Sequence, residues 1–393
     1  MTLDVTDPVA LARALIQCRS VTPEEGGALT LLQSVLEPLG FICERVTFQE
    51  AGTPDIENLY ARRGTTGANL CFAGHTDVVP PGNVAAWHSD PFAAEIRDGV
   101  LYGRGAVDMK GAIACFVAAV ARAIAAGEDT GSVSLLITGD EEGPSINGTV
   151  KVLQWLAERG ERLDAAIVGE PSNPDALGDE IKIGRRGSVT GEVVVHGVQG
   201  HAAYPHRADN PLPKLAQFIT RLSGTRIDEG TRHFEPSNCQ VTIVSVPNTA
   251  ANVIPAFATA TFNIRYNDIW RRATIEEWVR LQCEAAALAT GARYDVSFAG
   301  TGDVFLTERG PLVDTLTSAV QAVTGRTPAL STSGGTSDAR FIKDYCPVVE
   351  FGLVNRTIHQ VDECVPLEDL GRLTEIYRLV IRHTAKATDL AAA

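Results

Sequence analysis

Five separated segments of the sequence place a histidine or a carboxylate just after an apolar run. The residues concerned are His75, Asp108, Glu141, Glu142, Glu170 and His359. In α/β proteins, ligand sites lie beyond the carboxyl ends of the strands, so these loops are expected to meet. Imidazole and carboxylate groups suit zinc and related divalent ions, and no closely spaced cysteine pair is present. The pattern predicts a catalytic site with two metal ions that activate a water.

Each segment taken alone also has a structural explanation. Asp108 lies in GRGAVDMKG, where an aspartate can simply cap the following helix. Glu141 and Glu142 can form a solvated acidic turn, although adjacent buried acids repel each other unless a cation or a proton is present. Asp77, two residues after His75, is placed to orient its imidazole. The combination of all five segments is what favours a metal site.

The predicted elements form an α/β domain interrupted by a second domain. Apolar runs predict strands at Leu70–Ala73, Val133–Thr138, Ala165–Val168 and Val348–Phe351. Helical spacing predicts helices at Pro8–Gln17, Leu29–Leu39, Gly111–Ala126, Thr149–Arg159, Leu312–Thr324 and Leu367–His383. Between these parts the pattern changes to β-α-β-β-α-β, the order of a ferredoxin-like unit. We therefore predict a mostly parallel catalytic domain at 1–186 and 301–393, with an inserted α+β domain at 187–300.

Composition excludes several classes of function. The chain of 393 residues has a formal net charge of −14, which argues against nucleic-acid binding because phosphate neutralisation needs clustered Lys and Arg. No secretory signal and no apolar run of bilayer length is apparent, so a cytoplasmic protein without a membrane partner is expected. The eight cysteines are expected to be reduced thiols. A bridge between Cys346 and Cys364 stays open.

In their order and separation, the five segments resemble a family of di-zinc aminoacylases and carboxypeptidases. The resemblance covers nearly the whole chain and implies an exopeptidase-like catalytic domain with an inserted dimerisation domain. It also implies two Zn²⁺ per subunit, with Co²⁺ as an alternative at one site. Asp108 would bridge the two ions. His75 and Glu170 would hold one of them, and Glu142 and His359 the other.

The same resemblance implies the catalytic roles. Glu141 would be the general base that takes a proton from the attacking water and passes it to the leaving amine. Asp77 would orient His75. His201, in GVQGHAAYPH, would reach the active site of a partner subunit and help to stabilise the oxyanion, so a homodimer is implied. Without the resemblance, His201 would be taken for a polar loop residue.

Four further segments resemble one branch of this family, which hydrolyses N-succinyl-LL-2,6-diaminopimelate to succinate and LL-2,6-diaminopimelate in bacterial lysine synthesis. These segments are DEEGPSINGTVKVL, KIGRRGSVTGE, NVIPAFATATFNIRY and STSGGTSDARFI. A substrate with carboxylates at both ends requires guanidinium groups and neutral donors. The implied contacts are Arg185, Ser188, Tyr204, Asn252, Arg265, Gly335, Thr336 and Asn355. Only the motif favours Arg185 over the adjacent Arg186, since the pair can also be a solvated strand end.

Two other functions are kept as alternatives. An acetylornithine deacetylase or an aminoacylase of the same family would share the metals and Glu141 but use a different acyl pocket. A non-catalytic ligand-binding member would keep the fold and lose turnover. The complete set of metal ligands and the base argue against this last alternative.

Overall fold

A computed structural model describes residues 3–335 and 337–386, which form two units, each with its own sheet. The first unit comprises the described residues of Met1–Ile183, Thr307–Ser331 and Ser337–Ala393; the second comprises those of Gly184–Leu306 and Thr332–Thr336. The α-helices are α1 (Pro8–Gln17), α2 (Ala28–Leu36), α3 (Lys110–Ala125), α4 (Thr149–Glu158), α5 (Pro211–Gly224), α6 (Arg272–Thr290), α7 (Pro311–Thr324), α8 (Ala339–Ile342) and α9 (Leu367–Thr384). Short 3-10 helices lie at Glu37–Leu39, Val84–Ala86 and Pro205–Arg207.

The strands, in chain order, are β1 (Ile42–Phe48), β2 (Ile56–Arg63), β3 (Asn69–His75), β4 (Glu95–Arg97), β5 (Val100–Tyr102), β6 (Ser132–Thr138), β7 (Ala165–Val168), β8 (Glu180–Lys182), β9 (Gly184–Arg185), β10 (Gly187–His196), β11 (Gly200–His201), β12 (Asn238–Ser245), β13 (Val253–Ile254), β14 (Phe257–Tyr266), β15 (Arg293–Gly302), β16 (Phe305–Leu306), β17 (Ala329–Ser331), β18 (Val348–Glu350) and β19 (Cys364–Pro366).

The first unit is built on a sheet with the order β1-β2-β6-β3-β7-β18-β8-β17. Its central pairs, β6 with β3, β3 with β7 and β7 with β18, are parallel. These four strands are buried along their whole length, as expected for a parallel sheet covered on both faces. The predicted mostly parallel sheet is therefore confirmed at its centre, whereas β1, β2 and β8 add antiparallel pairs.

The predicted helices and strands of this unit agree with the structure to within about three residues, apart from one break. The helix predicted at Leu29–Leu39 ends as α2 at Leu36 and continues as a 3-10 turn. Pro38 explains the change, because its nitrogen has no hydrogen to donate to an α-helical bond. The sequence analysis did not predict β1 and β2, of seven and eight residues. It also did not predict β4, β5, β8, β17 and β19, whose three residues each are too few to show a period.

The second unit has a sheet with the order β12-β14-β10-β15, in which every pair is antiparallel. Along the chain its elements run β10-α5-β12-β14-α6-β15, the ferredoxin-like order that the sequence predicts. Burial alternates along β10 and β14, so one face of the sheet packs on a core that includes Phe218, Phe262, Ile275 and Val279.

The inserted domain predicted at 187–300 lies inside the second unit, which extends further at both ends. Gly184 and Arg185 of β9 pair with Leu306 and Phe305 of β16, and this two-residue ribbon joins the two ends of the insertion. Residues 332–335 also group with the second unit, although they were predicted for the catalytic domain.

Two further sequence expectations concern the cysteines and the membrane. All eight cysteines, including Cys346 and Cys364, are unpaired thiols. Across residues 3–335 and 337–386, no helix combines the length and the apolar character that crossing a bilayer would require.

Candidate metal centre

Four neighbouring parallel strands end at the candidate metal site. His75 is the last residue of β3, and Glu170 follows β7 by two residues. Glu141 and Glu142 lie in the loop after β6, and His359 lies in the loop after β18. Because the four strands run in the same direction and are adjacent in the sheet, their carboxyl ends bring these side chains to one edge.

Asp108, just before α3, lies between the two histidines. Its Oδ1 is 3.1 Å from Nε2 of His75, and its Oδ2 is 3.1 Å from Nε2 of His359. On one side, Glu170 Oε1 lies 3.7 Å from Nε2 of His75; on the other, Glu142 Oε1 lies 2.9 Å from Nε2 of His359. One carboxylate thus faces two histidine–glutamate pairs, one through each of its oxygens.

The donor atoms can therefore be divided into two groups that share Asp108. In the group His75, Asp108 and Glu170, and again in the group Asp108, Glu142 and His359, the ligand atoms all lie within 4.8 Å of one another. His75, Glu141 and Glu142 form a third such group. Imidazole with carboxylate is the donor chemistry of zinc and related ions.

The charges of the site also fit cations. Oε1 of Glu170 is buried and has no hydrogen-bond partner, and burial, together with the charges of Asp108 and Glu141, raises the pKa of Glu170 well above its usual range. Burial acts in the same direction on Asp108, but hydrogen bonds with His359 and His75 hold the pKa of Asp108 below its usual range. A buried carboxylate oxygen without a partner is costly unless a proton or a cation compensates it. The residues fit a pair of divalent ions.

His75 is oriented by the main chain of Asp77. Its Nδ1 is 2.8 Å from the carbonyl oxygen of Asp77 and 3.6 Å from the nearer carboxylate oxygen. The carboxylate of Asp77 instead accepts hydrogen bonds from the backbone N–H groups of Glu141, at 3.3 Å, and Glu142, at 3.0 Å. Asp77 thus contacts His75 mainly through its main chain and, at a longer distance, through its carboxylate. With Nδ1 donating to a carbonyl, Nε2 is left free to ligate a metal.

The surroundings of Glu141 strongly raise the pKa of its carboxyl group. Burial raises its pKa to about 8; the carboxylates of Asp338, Asp108 and Glu142 raise it as well, and His75 lowers it. A base is most effective when its pKa lies near the working pH. Its placement beside the histidine and carboxylate groups supports this role.

Asp140 is a site residue that the sequence analysis missed. It is buried, and its Oδ2 accepts hydrogen bonds from the backbone N–H groups of Ile146, at 2.8 Å, and Asn147, at 2.9 Å. These bonds close the loop that carries Glu141 and Glu142. The sequence does contain a signal for this role. Asp140 is followed by EEGPSING, a stretch rich in turn-forming residues, and an aspartate in such a position often accepts hydrogen bonds from the backbone of its own loop.

Three residues predicted to act on the substrate meet within the second unit. Strand β11, which contains His201, pairs with β13, and the backbone N–H of Ala202 donates to the carbonyl of Asn252 at 2.9 Å. The ring of Tyr204 lies 5.6 Å from that of His201. Nδ1 of His201 accepts from the N–H of Ala203 at 3.0 Å, so the neutral ring carries its proton on the exposed Nε2 side. His201 is therefore equipped to donate a hydrogen bond.

The predicted arginines lie near one another in the same unit. Ser188 on β10 faces Arg265 on β14 in the sheet register. Burial lowers the pKa of Arg265, and the charges of Arg186 and Arg185 lower it further. Arg186 forms an ion pair with Glu235 at 3.3 Å. Closely spaced guanidinium groups suit an anionic ligand.

The remaining predicted substrate contacts do not all belong to the same unit. Asn355 belongs to the first unit, where its backbone N–H donates to the carbonyl of Asn173 at 2.9 Å. Gly335 is exposed and groups with the second unit. Thr336 lies outside the described residues.

Comparisons with known proteins agree with this architecture. Residues 71–383 match the model of peptidase family M20/M25/M40. The chain is 58% identical over 377 residues, 95% of each chain, to the succinyl-diaminopimelate desuccinylase of Methylobacterium nodulans. It is also 58% identical over 376 residues, 95% of this chain and 96% of the relative, to the succinyl-diaminopimelate desuccinylase of Rhodospirillum centenum.

Among solved structures, the aminopeptidase PepT of Bacillus cereus has the same fold. The TM-score is 0.80 at 20% identity, over 98% of this chain and 100% of that one. The chain belongs to peptidase family M20/M25/M40.

Proposed function

We propose that the chain hydrolyses N-succinyl-LL-2,6-diaminopimelate to succinate and LL-2,6-diaminopimelate. The observation that carries this proposal is the identity of 58% to two succinyl-diaminopimelate desuccinylases over 95% of the chain. Acetylornithine deacetylase and aminoacylase are not favoured, because both relatives carry the same different name. A non-catalytic role is not favoured either, because the metal-binding set and Glu141 are complete.

The metal ions are assigned to the two groups that share Asp108. His75 and Glu170 would hold one ion, Glu142 and His359 would hold the other, and both would be zinc, with cobalt as an alternative at one site. When bound, such ions make the attacking water more acidic and stabilise the negative charge that develops on the amide oxygen.

The side chains of the protein carry the proton transfers. Glu141 accepts a proton from the water as its oxygen bonds to the amide carbon, and it delivers a proton to the nitrogen as the carbon–nitrogen bond breaks. The raised pKa of Glu141 supports this role. His201 of the partner subunit donates a hydrogen bond to the oxyanion through Nε2. Asp77 keeps Glu141 and Glu142 in place through their backbone N–H groups.

Guanidinium groups bind the carboxylates of the substrate. We assign this role to Arg185 and Arg265, and the effect of neighbouring arginines on the pKa of Arg265 supports it. The neutral contacts are assigned to Ser188, Tyr204, Asn252, Gly335, Thr336 and Asn355. Arg186 forms an ion pair with Glu235, and only the sequence motif favours Arg185 over Arg186 for these contacts.

The second unit is proposed as the dimerisation domain of a homodimer. Strand β12 lies at an edge of its sheet, and Ile243 and Val244 on it are 59% and 55% exposed. Leu281 and Leu288, seven residues apart on α6, are also exposed. An exposed edge strand with apolar side chains is suited to pairing with a second copy.

The eight unpaired thiols support a location in the reducing cytoplasm.

The preference of the protein for a succinyl or an acetyl group on the substrate tests the proposed function. Purified protein is assayed for release of primary amine from N-succinyl-LL-2,6-diaminopimelate and from N-acetylornithine under the same metal conditions. We expect a higher kcat/KM for the succinylated substrate. A higher kcat/KM for N-acetylornithine would overturn the assigned substrate.

A further inference from the structure

A buried ion pair outside the metal-binding set lies directly behind it. Nη1 of Arg104 is 2.7 Å from Oε2 of Glu363, and the two side chains are 2% and 0% exposed. Their position follows from the pairing of β5 with β19, which continues through a hydrogen bond from the N–H of Gly103 to the carbonyl of Glu363 at 2.9 Å. Burying two charges is costly, so the pair requires further hydrogen bonds on both partners.

Glu363 receives these bonds from the loop that carries Asp108. Its Oε1 accepts from the N–H groups of Val107, at 2.8 Å, and Asp108, at 3.1 Å. Its Oε2 accepts from the N–H of Gly105 at 3.0 Å, besides the bond from Arg104. One carboxylate thus accepts hydrogen bonds from three backbone N–H groups of the loop that ends at the shared metal ligand.

Arg104 reaches the loop that carries His359. Nη2 donates to the carbonyl of His359 and Nη1 to that of Gln360, each at 3.3 Å. His359 has a φ of 59°, in the left-handed region that is unfavourable for residues other than glycine. Its side chain is 47% exposed, so little packing holds the ring. The guanidinium therefore links the backbone of this loop to Glu363 and, through it, to the loop of Asp108.

We propose that Arg104 and Glu363 are positioning residues that fix Asp108 relative to His359 and thereby maintain the metal group formed by Asp108, Glu142 and His359. This inference rests on the proposed function. The other group depends less on the pair, because His75 is held by the main chain of Asp77 and ends the central strand β3. Loss of the contacts from Arg104 to the loop of His359 should therefore selectively weaken the ion of that group.

The test is metal binding by Arg104→Lys. Lysine keeps a positive charge for Glu363, but a single ammonium cannot reproduce the planar fork that reaches two carbonyl groups. Metal-free protein is titrated with Co²⁺, by calorimetry and by visible absorption. We expect the first equivalent to bind as in the unmodified protein and the second to bind about 10- to 100-fold more weakly, as for other residues that orient metal ligands. The spectrum should approach that of His359→Ala, although all five ligands are intact.

Two further variants sharpen the result. Arg378→Lys alters a partly buried arginine that pairs with Glu128, with Nη2 and Oε1 2.8 Å apart, and it should bind both ions normally. Glu363→Gln removes the charge and places an amide against the backbone donors of the loop that carries Asp108. Because both metal groups share Asp108, this variant should weaken both ions. Folding of each variant is checked by circular dichroism.

The outcomes separate the inference from the proposed function. Folded Arg104→Lys that binds two Co²⁺ with unchanged affinity and spectrum would overturn the positioning role. Equal weakening of both ions in Arg104→Lys would also overturn it, because the effect would then be general. If the unmodified protein itself bound fewer than two ions, the assignment of two metal groups would fail instead.

Discussion

Replacement of Asp77 tests how the structure divides two tasks, the orientation of His75 and the support of the loop that carries Glu141. In Asp77→Asn the main-chain carbonyl that contacts His75 Nδ1 at 2.8 Å is unchanged. The new amide oxygen can accept only one of the two backbone N–H bonds at 3.0 and 3.3 Å, and its NH₂ group faces the other. We therefore expect the metal ions to be retained and the base to be displaced.

Two opposing effects set the change in folding stability. Burial raises the pKa of Asp77 from 3.8 to about 6, so the charged carboxylate is disfavoured at neutral pH by roughly 3 kcal/mol, which asparagine relieves. Losing one hydrogen bond to a charged acceptor costs about 1.5–3 kcal/mol. The free energy of unfolding of the metal-free variant should therefore stay within about 2 kcal/mol of the unmodified protein.

The activity should respond more strongly than the stability. Residues that orient a catalytic group or ligand typically contribute about 10- to 100-fold to activity, so kcat should fall by that factor with two zinc ions still bound. The assays are denaturant unfolding, zinc analysis and turnover of the succinylated substrate. Loss of one zinc ion from Asp77→Asn would refute the reasoning, because the carboxylate and not the carbonyl would then orient His75. Asp77→Glu, which keeps the charge, serves as the comparison.

Three further outcomes are expected. Glu141→Gln should lower kcat by about 10²–10⁴-fold with normal metal content, and near-normal turnover would remove Glu141 as the base. Because the pKa of Glu141 is raised from 4.5 to about 8 in the folded protein, the metal-free protein should lose stability as the pH rises through this range; a thermal unfolding profile that rises with pH would contradict this. Mixing subunits of His201→Ala and Glu141→Gln should restore about a quarter of the activity through mixed dimers, each with one complete site, whereas no recovery would count against a contribution of His201 in trans.

The clustering of the candidate metal ligands could be predicted because their positions follow from local sequence and sheet geometry. Strands β3, β6 and β7 are continuous apolar runs, and a buried parallel sheet requires such runs. The polar residue after each run therefore lies at the same edge as its neighbours. His75 and Glu170 could be located in this way from the sequence alone. The longer helices of the first unit could be predicted from the helical spacing of their apolar residues.

Other parts of the site depend on contacts that no local pattern encodes. Arg104 and Glu363 are 259 residues apart, and only the pairing of the three-residue strands β5 and β19 brings them together. The hydrogen bond from His75 to the main-chain carbonyl of Asp77 could not be predicted either. Every residue has such a carbonyl, whereas the sequence pattern points only to the side chain of Asp77. The boundaries of the second unit are set by the pairing of β9 with β16. Each of these strands has two residues, which is too few for a sequence period to be recognised.

The central claim is a metal-dependent hydrolysis of a succinylated amide, and the most direct test uses metal-stripped protein. Release of primary amine from N-succinyl-LL-2,6-diaminopimelate is measured before and after addition of two equivalents of zinc. We expect negligible release without metal and turnover that grows with both equivalents. Protein that binds two zinc ions and leaves this substrate intact would contradict the account.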